Sequence, residues 1–308
     1  MADKIRKATD KELVKLERKI SGVYRQSQKE IKERWTAYME QSAVKINQYE
    51  KAYDAAVISQ DAKEIKKAKK ALKNAKLEQT LYNDRYKEMV GSVTDKLYDA
   101  NKIALAYANG KMFKIYAMNH NAIAPTANSL GISFTIVNEK TVRNLVKSGD
   151  IKLPYKKLNK IKDARWNTKK LNSAVLQGII QGDSMDRIAE RILPIVHNNE
   201  SAAIRNARTM VTGAENQGRL DSFQELQDMG TVIKKKWIAT LDDRVRAWHE
   251  EMDGDEVDLD ENFVDGNGNE LQYPGDPDAE PETVYNCRCA MEAVIIGFKD
   301  ENGNINYI

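Results

Sequence analysis

The stretch LVKLERKISGVYRQSQKEIKERWTAYMEQSAVKINQYEKAY (residues 13–53) decides the fold. Its apolar and small residues return at alternating steps of three and four: Leu13, Leu16, Ile20, Val23, Ser27, Ile31, Trp35, Met39, Ser42, Ile46, Tyr49 and Tyr53. That period lays one stripe along a helix. The first 124 residues hold no proline and the first 90 a single glycine, Gly22, so little interrupts the helix. After Ser59-Gln60-Asp61 the stripe resumes at Ile65 and runs through Leu72, Tyr82, Met89, Leu97 and Ala104 to Tyr107. Two stripes joined by a short polar turn predict an antiparallel helical hairpin. Each arm of about 45 residues would extend roughly 70 Å, which calls for a partner surface.

Beyond Pro125 and Gly131 the pattern changes. Ile132 to Val137 alternates and is β-branched, which suits a short strand or an extended connection. From Trp166 the helical period returns. It stops at Gly182-Asp183-Ser184, where Asp or Ser can cap a helix that ends before Pro194. A long helix starts at Asn199 or Ser201 and runs to Met229, with Gly230 as its stop. Thr231 to Thr240 reads as a strand, Asp242 to Met252 as a short helix, and residues 254–283 as a Gly/Asn/Asp/Pro-rich loop. Val284 to Ile296 then returns as a strand beside the first. The expected class is α+β, predominantly α-helical. It divides into a hairpin arm over 1–124, a connecting segment over 125–165 and a helical region with a small C-terminal α+β unit over 166–308.

Charge is uneven along the chain. Residues 1–200 carry 39 Lys/Arg against 23 Asp/Glu, a net +16, and residues 201–308 carry 10 against 23, a net −13. Such polarity suits either two partners at two ends or basic helices docked on the acidic part of the same chain. The run Lys63 to Lys70 could meet DNA phosphates, but no aromatic or glycine pattern of a nucleic-acid module accompanies it, and a solvated helix face explains it better. No apolar run approaches the ~20 residues of a membrane span. The N-terminus enters a charged segment with no apolar leader, so the protein is expected to stay in the cytoplasm where it is made. Two cysteines separated by one residue, Cys287 and Cys289, read as a reduced pair rather than a disulfide scaffold.

Several features occur in a specific order. A helix ends at Gly182-Asp183-Ser184 and is followed by Ile188-Ala189. Ala207-Arg208-Thr209 comes next, with Asn216 and Gly218 on the same helix. Trp237 to Arg246, His249, Asp253-Gly254 and Asn286-Cys287-Arg288-Cys289 complete the set. Over residues 165–296 this order and spacing resembles the Mu F-like minor head protein, or phage head-morphogenesis, family. That family usually follows the Ala-Arg-Thr step with an acidic residue, where Met210 stands here. The resemblance implies a low-copy virion component, attached near the portal vertex and packaged in the head during assembly. Its implied partners are the portal protein and capsid or scaffolding proteins, and some relatives are thought to influence DNA packaging or release.

The residues able to carry chemistry are few. Val245, His249, Met252 and Asp253 share one helical face. On an extended segment Cys287 and Cys289 point to one side and Arg288 to the other. If the two elements pack, two thiolates and an imidazole converge, with Asp253 as a fourth ligand, and a structural zinc accepts such a set. Two buried thiols beside a hydrogen-bonded core histidine is the alternative. Cysteines at i and i+2 suit a closed site better than the open position and general base that hydrolysis needs, so no enzymatic activity is expected. The competing functions are a metal-dependent hydrolase or nuclease using His249, Asp253 and the thiols, and a packaging accessory that binds DNA through basic residues in 1–200. Glu215 and Arg219 read as a helix ion pair, Asp265 to Glu270 as a turn rather than a calcium loop, and His120 and His197 as ordinary residues.

Overall fold

Helix α1 (Ala2–Ser59) ends where the sequence places the turn, and α2 (Ala62–Thr80) follows. Gln60 adopts φ +57° there, and the Asp61 carboxylate caps α2 by accepting the Lys63 and Glu64 N–H groups at 2.8 and 3.3 Å. The computed structural model describes residues 2–300 and 302–308. It is α+β and predominantly α-helical. The second arm is not continuous, however. It breaks at Leu81-Tyr82-Asn83 before α3 (Asp84–His120). The Asn83 carboxamide accepts the Tyr86 N–H at 2.8 Å and donates to the Glu78 and Gln79 carbonyls, and the Tyr38 hydroxyl donates to the Thr80 carbonyl at 3.2 Å. Side chains thus satisfy the backbone groups that the break exposes.

The remaining elements follow in order: α4 (Ala124–Ser129), α5 (Glu139–Ser148), α6 (Lys160–Gln181), α7 (Met185–Glu190) and α8 (Leu193–Asp228). Then come β1 (Thr231–Ile238), α9 (Ala247–Glu251), β2 (Glu256–Asp258), β3 (Phe263–Val264), β4 (Glu270–Leu271), α10 (Pro281–Val284), β5 (Ala290–Lys299) and β6 (Ile305–Tyr307). Residues 132–138 are extended without strand pairing. The Asn121 carboxamide takes the place of a partner strand there, donating to the Val137 carbonyl at 2.8 Å and accepting its N–H at 3.0 Å. Helix α8 starts earlier than the sequence suggests, because Pro194 falls in its first turn, where the missing N–H costs nothing. Among the described residues no helix is long and apolar enough to cross a membrane.

The chain divides into two compact units. One comprises Ile20–Ala104 and Leu158–Ala202. Its α1 and α3 segments run antiparallel, with Arg34 donating to Ser92 at 2.9 Å and Lys96 bound to Glu30 at 2.7 Å. Trp35, Tyr38 and Tyr86 form an aromatic cluster with ring centroids 6.2–6.3 Å apart. Elsewhere in the unit Asn101 donates to Asp163 and Asn199, and Asn199 to Asn167, at 2.7–2.9 Å. The Ser184 hydroxyl caps α7, and Gly182 ends α6 in the left-handed conformation.

The other unit comprises Met1–Lys19, Leu105–Lys157 and Ala203–Ile308. Its antiparallel sheet has the order β2-β1-β5-β6. Strand β1 pairs β5 in the register Trp237↔Met291 and Lys235↔Ala293, so the late strand does return beside the first. Buried and half-buried residues alternate along β1, and the buried set is Thr231, Ile233, Lys235 and Trp237. Lys235 is an exception to an apolar face. It crosses the Phe263 ring at 5.3 Å and donates to the Leu259 and Gln272 carbonyls at 3.2 and 2.8 Å. Asp265 closes the β3–β4 turn by accepting the Asn267 and Asn269 N–H groups, each at 2.9 Å, which confirms a turn. Asp300 does the same for Asn302 and Asn304 between β5 and β6. Trp237, Phe263, Leu271, Met252, Met291 and the two cysteines share one hydrophobic core.

Candidate metal centre

Residues 286–291 carry the thiols, and one stripe of α8 holds their backbone in place. Thr209, Thr212, Asn216 and Arg219 recur at steps of three and four and face the segment together. The Thr209 hydroxyl accepts the Asn286 N–H at 3.2 Å, and the Thr212 hydroxyl donates to the Cys287 carbonyl at 2.7 Å. The Asn216 amide donates to the Cys289 and Pro274 carbonyls at 3.1 and 3.0 Å and accepts the Met291 N–H at 3.0 Å. Arg219 donates to the Met291 carbonyl at 2.6 Å and binds Glu215 at 2.7 Å. Burial pushes the Glu215 carboxyl up, and the Arg219 charge opposes that shift. The helix thereby supplies from side chains the bonds that a neighbouring strand would supply from backbone.

Two glycines let α8 approach this closely. A Cβ on Gly218 would lie 2.6 Å from the Tyr116 carbonyl oxygen, and one on Gly213 would lie 2.7 Å from that of Gly275. On the outer side, the Arg288 carbonyl accepts from Thr240 at 2.6 Å and from Arg6 at 3.1 Å. The Arg288 guanidinium binds Asp242 and holds its carboxyl well below the usual carboxylate range.

Cys287 and Cys289 sit just before β5 rather than within it, because Asn286 adopts φ +57° and turns the chain out of strand geometry. His249 lies on α9, which is shorter than the helix expected over Asp242 to Met252. Its Nδ1 is 3.7 Å from the Cys287 sulfur and 3.6 Å from that of Cys289. All three side chains are buried, and the three donor atoms lie within 4.8 Å of one another, so the cluster could hold a metal. Both cysteines are free thiols. The bond to Cys289 and burial push the Cys287 thiol up. The same hydrogen bond, together with His249, pulls the Cys289 thiol down against its burial.

The fourth sequence candidate lies apart from the three donors. The Asp253 carboxylate accepts the Ala239 N–H at 2.8 Å, tying the end of β1 to the turn after α9. Among the described residues the donor group contains only His249, Cys287 and Cys289. The His249 Nε2 is buried without a hydrogen-bond partner, and the ring meets Trp237 edge-on at 5.4 Å. Burial pushes the Asp265 carboxyl up, but its bonds to Asn269 and Asn267 outweigh that and leave it lowered. The roles of Thr212, Arg219 and Arg6 escape a reading by residue type. Their partners are backbone carbonyls, which leave no mark in sequence. The elements that build this cluster fall in a known family: residues 169–292 match the one described as Phage Mu protein F like protein, and the chain carries a Mu F-like region.

Two relatives align with it. The chain is 32% identical to the Minor head protein GP7 of Bacillus phage SPP1 over 124 residues, which is 40% of this chain and 40% of that protein. It is 30% identical over 176 residues to the NAD(+)–arginine ADP-ribosyltransferase EFV of Enterococcus faecalis, which is 57% of this chain and 35% of that protein. The chain thus spans less than half the length of each of these relatives. No solved structure matches significantly.

Proposed function

We propose that the protein is a minor head protein of a tailed bacteriophage that joins the portal vertex during head assembly and acts through protein contacts. The observation that carries this reading is the family match over 169–292, which includes the Thr209–Arg219 stripe, His249 and both cysteines. The likeness to a protein named as a minor head protein points the same way. Low-copy presence in purified virions, and cosedimentation of the isolated chain with assembled portal rings, test it. Virions that contain none of the chain would overturn it.

Within that role the thiol cluster is a zinc centre of structural purpose. Tetrahedral zinc with one imidazole and two thiolates sets its nitrogen and sulfurs about 3.6 Å apart, from the usual metal–ligand distances. The observed separations of 3.6 and 3.7 Å fit that edge. Zinc would fasten the thiol segment to α9 and add its binding energy to folding. The opening beside the cluster is lined by Thr240, Arg244, Val245, Arg246, Asn286 and Arg288, a set without a carboxylate to serve as general base. This favours assembly over metal-dependent hydrolysis or nuclease chemistry. The transferase name belongs to a relative of which this chain covers 35%. Elemental analysis should give one zinc per chain, lost in His249→Ala.

DNA contact during packaging is a second reading. The exposed Lys63, Lys66, Lys67, Lys70 and Lys73 of α2 favour it. Such binding must weaken steeply as salt rises, and an affinity unchanged by salt removes it.

A further inference from the structure

The His249–Cys287–Cys289 cluster offers three donors, whereas a tetrahedral metal takes four. Asp253, the nearest acid by sequence, is committed to the Ala239 N–H. No other His, Cys, Asp or Glu among the described residues joins the group. The cluster also borders an opening of about 10 Å³, room for roughly one water-sized atom. Three guanidinium-bearing side chains line that opening: Arg244, Arg246 and Arg288. Arg288 is paired with Asp242, and Arg244 lies 3.6 Å from the same carboxylate, so two arginines share one acid. Arg246 donates to the Tyr285 carbonyl, which leaves its charge without an acidic partner in that contact. Two thiolates neutralise a divalent ion, so the surplus positive charge of the rim remains to attract an anion.

We propose that the metal centre is open rather than closed, and that its fourth donor is a carboxylate from outside the chain, drawn in by Arg244 and Arg246. The inference rests on the metal reading above and changes what the centre does. An open position beside arginines makes the centre a docking point for an acidic side chain of an assembly partner, as well as a fastener of this fold. Arginine suits that task because its fork can hold one carboxylate oxygen while the metal takes the other.

Cobalt-loaded protein tests the proposal, because the visible bands of cobalt(II) report its ligands directly. Two probes are titrated at constant ionic strength: sodium acetate, and a blocked short peptide with a single aspartate. A saturable spectral shift is expected with each, weakened about tenfold in the Arg244→Gln/Arg246→Gln double variant, as the loss of charge-assisted bonds implies. Tighter binding of the peptide identifies a protein side chain as the source, and tighter binding of acetate a free anion. Cobalt bound with a spectrum that neither probe alters overturns the proposal and leaves a closed structural site. Failure to bind cobalt at all, in protein whose circular dichroism shows it folded, overturns the metal reading itself.

Discussion

Asn216 stands opposite Cys289 in the position of a missing strand. Its Nδ2 donates to the Cys289 carbonyl at 3.1 Å, and its Oδ1 accepts the next residue but one, Met291, at 3.0 Å. The same amide donates to Pro274 at 3.0 Å, so one side chain fixes two loops.

Asn216→Ala should therefore cost more than an ordinary surface change. It strips partners from three buried backbone groups, and each unpaired group costs about 1–3 kcal/mol. A total loss of roughly 3 kcal/mol or more is expected in urea unfolding. A loss under about 1 kcal/mol would show that solvent replaces the amide.

Two glycines should respond with opposite signs. Gly218→Ala drives a Cβ toward the Tyr116 carbonyl at 2.6 Å and the His120 N–H nitrogen at 3.2 Å, both backbone atoms that cannot swing away. A destabilisation of about 1–3 kcal/mol follows from overpacking. Gly22→Ala meets nothing within 4 Å in a helix interior and should stabilise by about 0.5–1 kcal/mol. Thermal melts of the two variants check both signs together.

Acid should act through Glu12. Its bond to Lys111, with Lys15 and Lys114 adding to it, lowers its carboxyl to about 2 from an ordinary 4.5, although burial opposes the shift. A depressed carboxyl contributes stability that is whole above pH 4.5 and lost as pH falls toward 2. Glu12→Gln should be less stable than the parent at neutral pH, and the two should converge near pH 2. Parallel curves across that window would remove the assignment.

Alkali should act through Lys235 in the opposite sense. Burial lowers its ammonium to about 8 from 10.5, so the native state holds fewer protons than the unfolded chain between those values. Stability attributable to this group is lowest below pH 8 and rises as pH climbs toward 10.5. Lys235→Met, which keeps length and removes charge, should flatten that rise. Circular dichroism melts from pH 7 to 10 measure it.

Metal removal gives a further check. A chelator should lower the melting temperature of zinc-loaded protein and leave the His249→Ala variant unmoved, because only bound metal stabilises by linkage. Equal responses of parent and variant would place any bound zinc elsewhere.

The helical stripe was legible because burial follows it closely. Leu16, Ile20, Ile31, Trp35, Met39, Ser42 and Ile46 are all buried where the three-four steps put them. It loses its hold at Tyr49, which is exposed. The break at 81–83 was not legible, since it depends on Asn83 capping and on a Tyr38 hydroxyl far away in sequence. At the site, two cysteines beside one histidine could be read from spacing and chemistry. Asp253 looked equal to them because helical periodicity gives its face but not the Ala239 N–H that claims its carboxylate. Lys235 breaks the alternation of β1 in the same way, since nothing local announces the Leu259 and Gln272 carbonyls that receive it.

The clamp of Arg6 on the Arg288 carbonyl joins residues 282 positions apart. On a ribosome, the first turns of α1 emerge long before the segment they must grip exists. The early helix has to wait while the residues between are made, and closing so long a loop carries a large entropy cost. A translation product that stops short of Met291 lacks the carbonyl that Arg219 binds and the N–H that Asn216 accepts, so two bonds of the α8 stripe stay unmade. The backing of the thiol segment by α8 is therefore complete only once Met291 has been made.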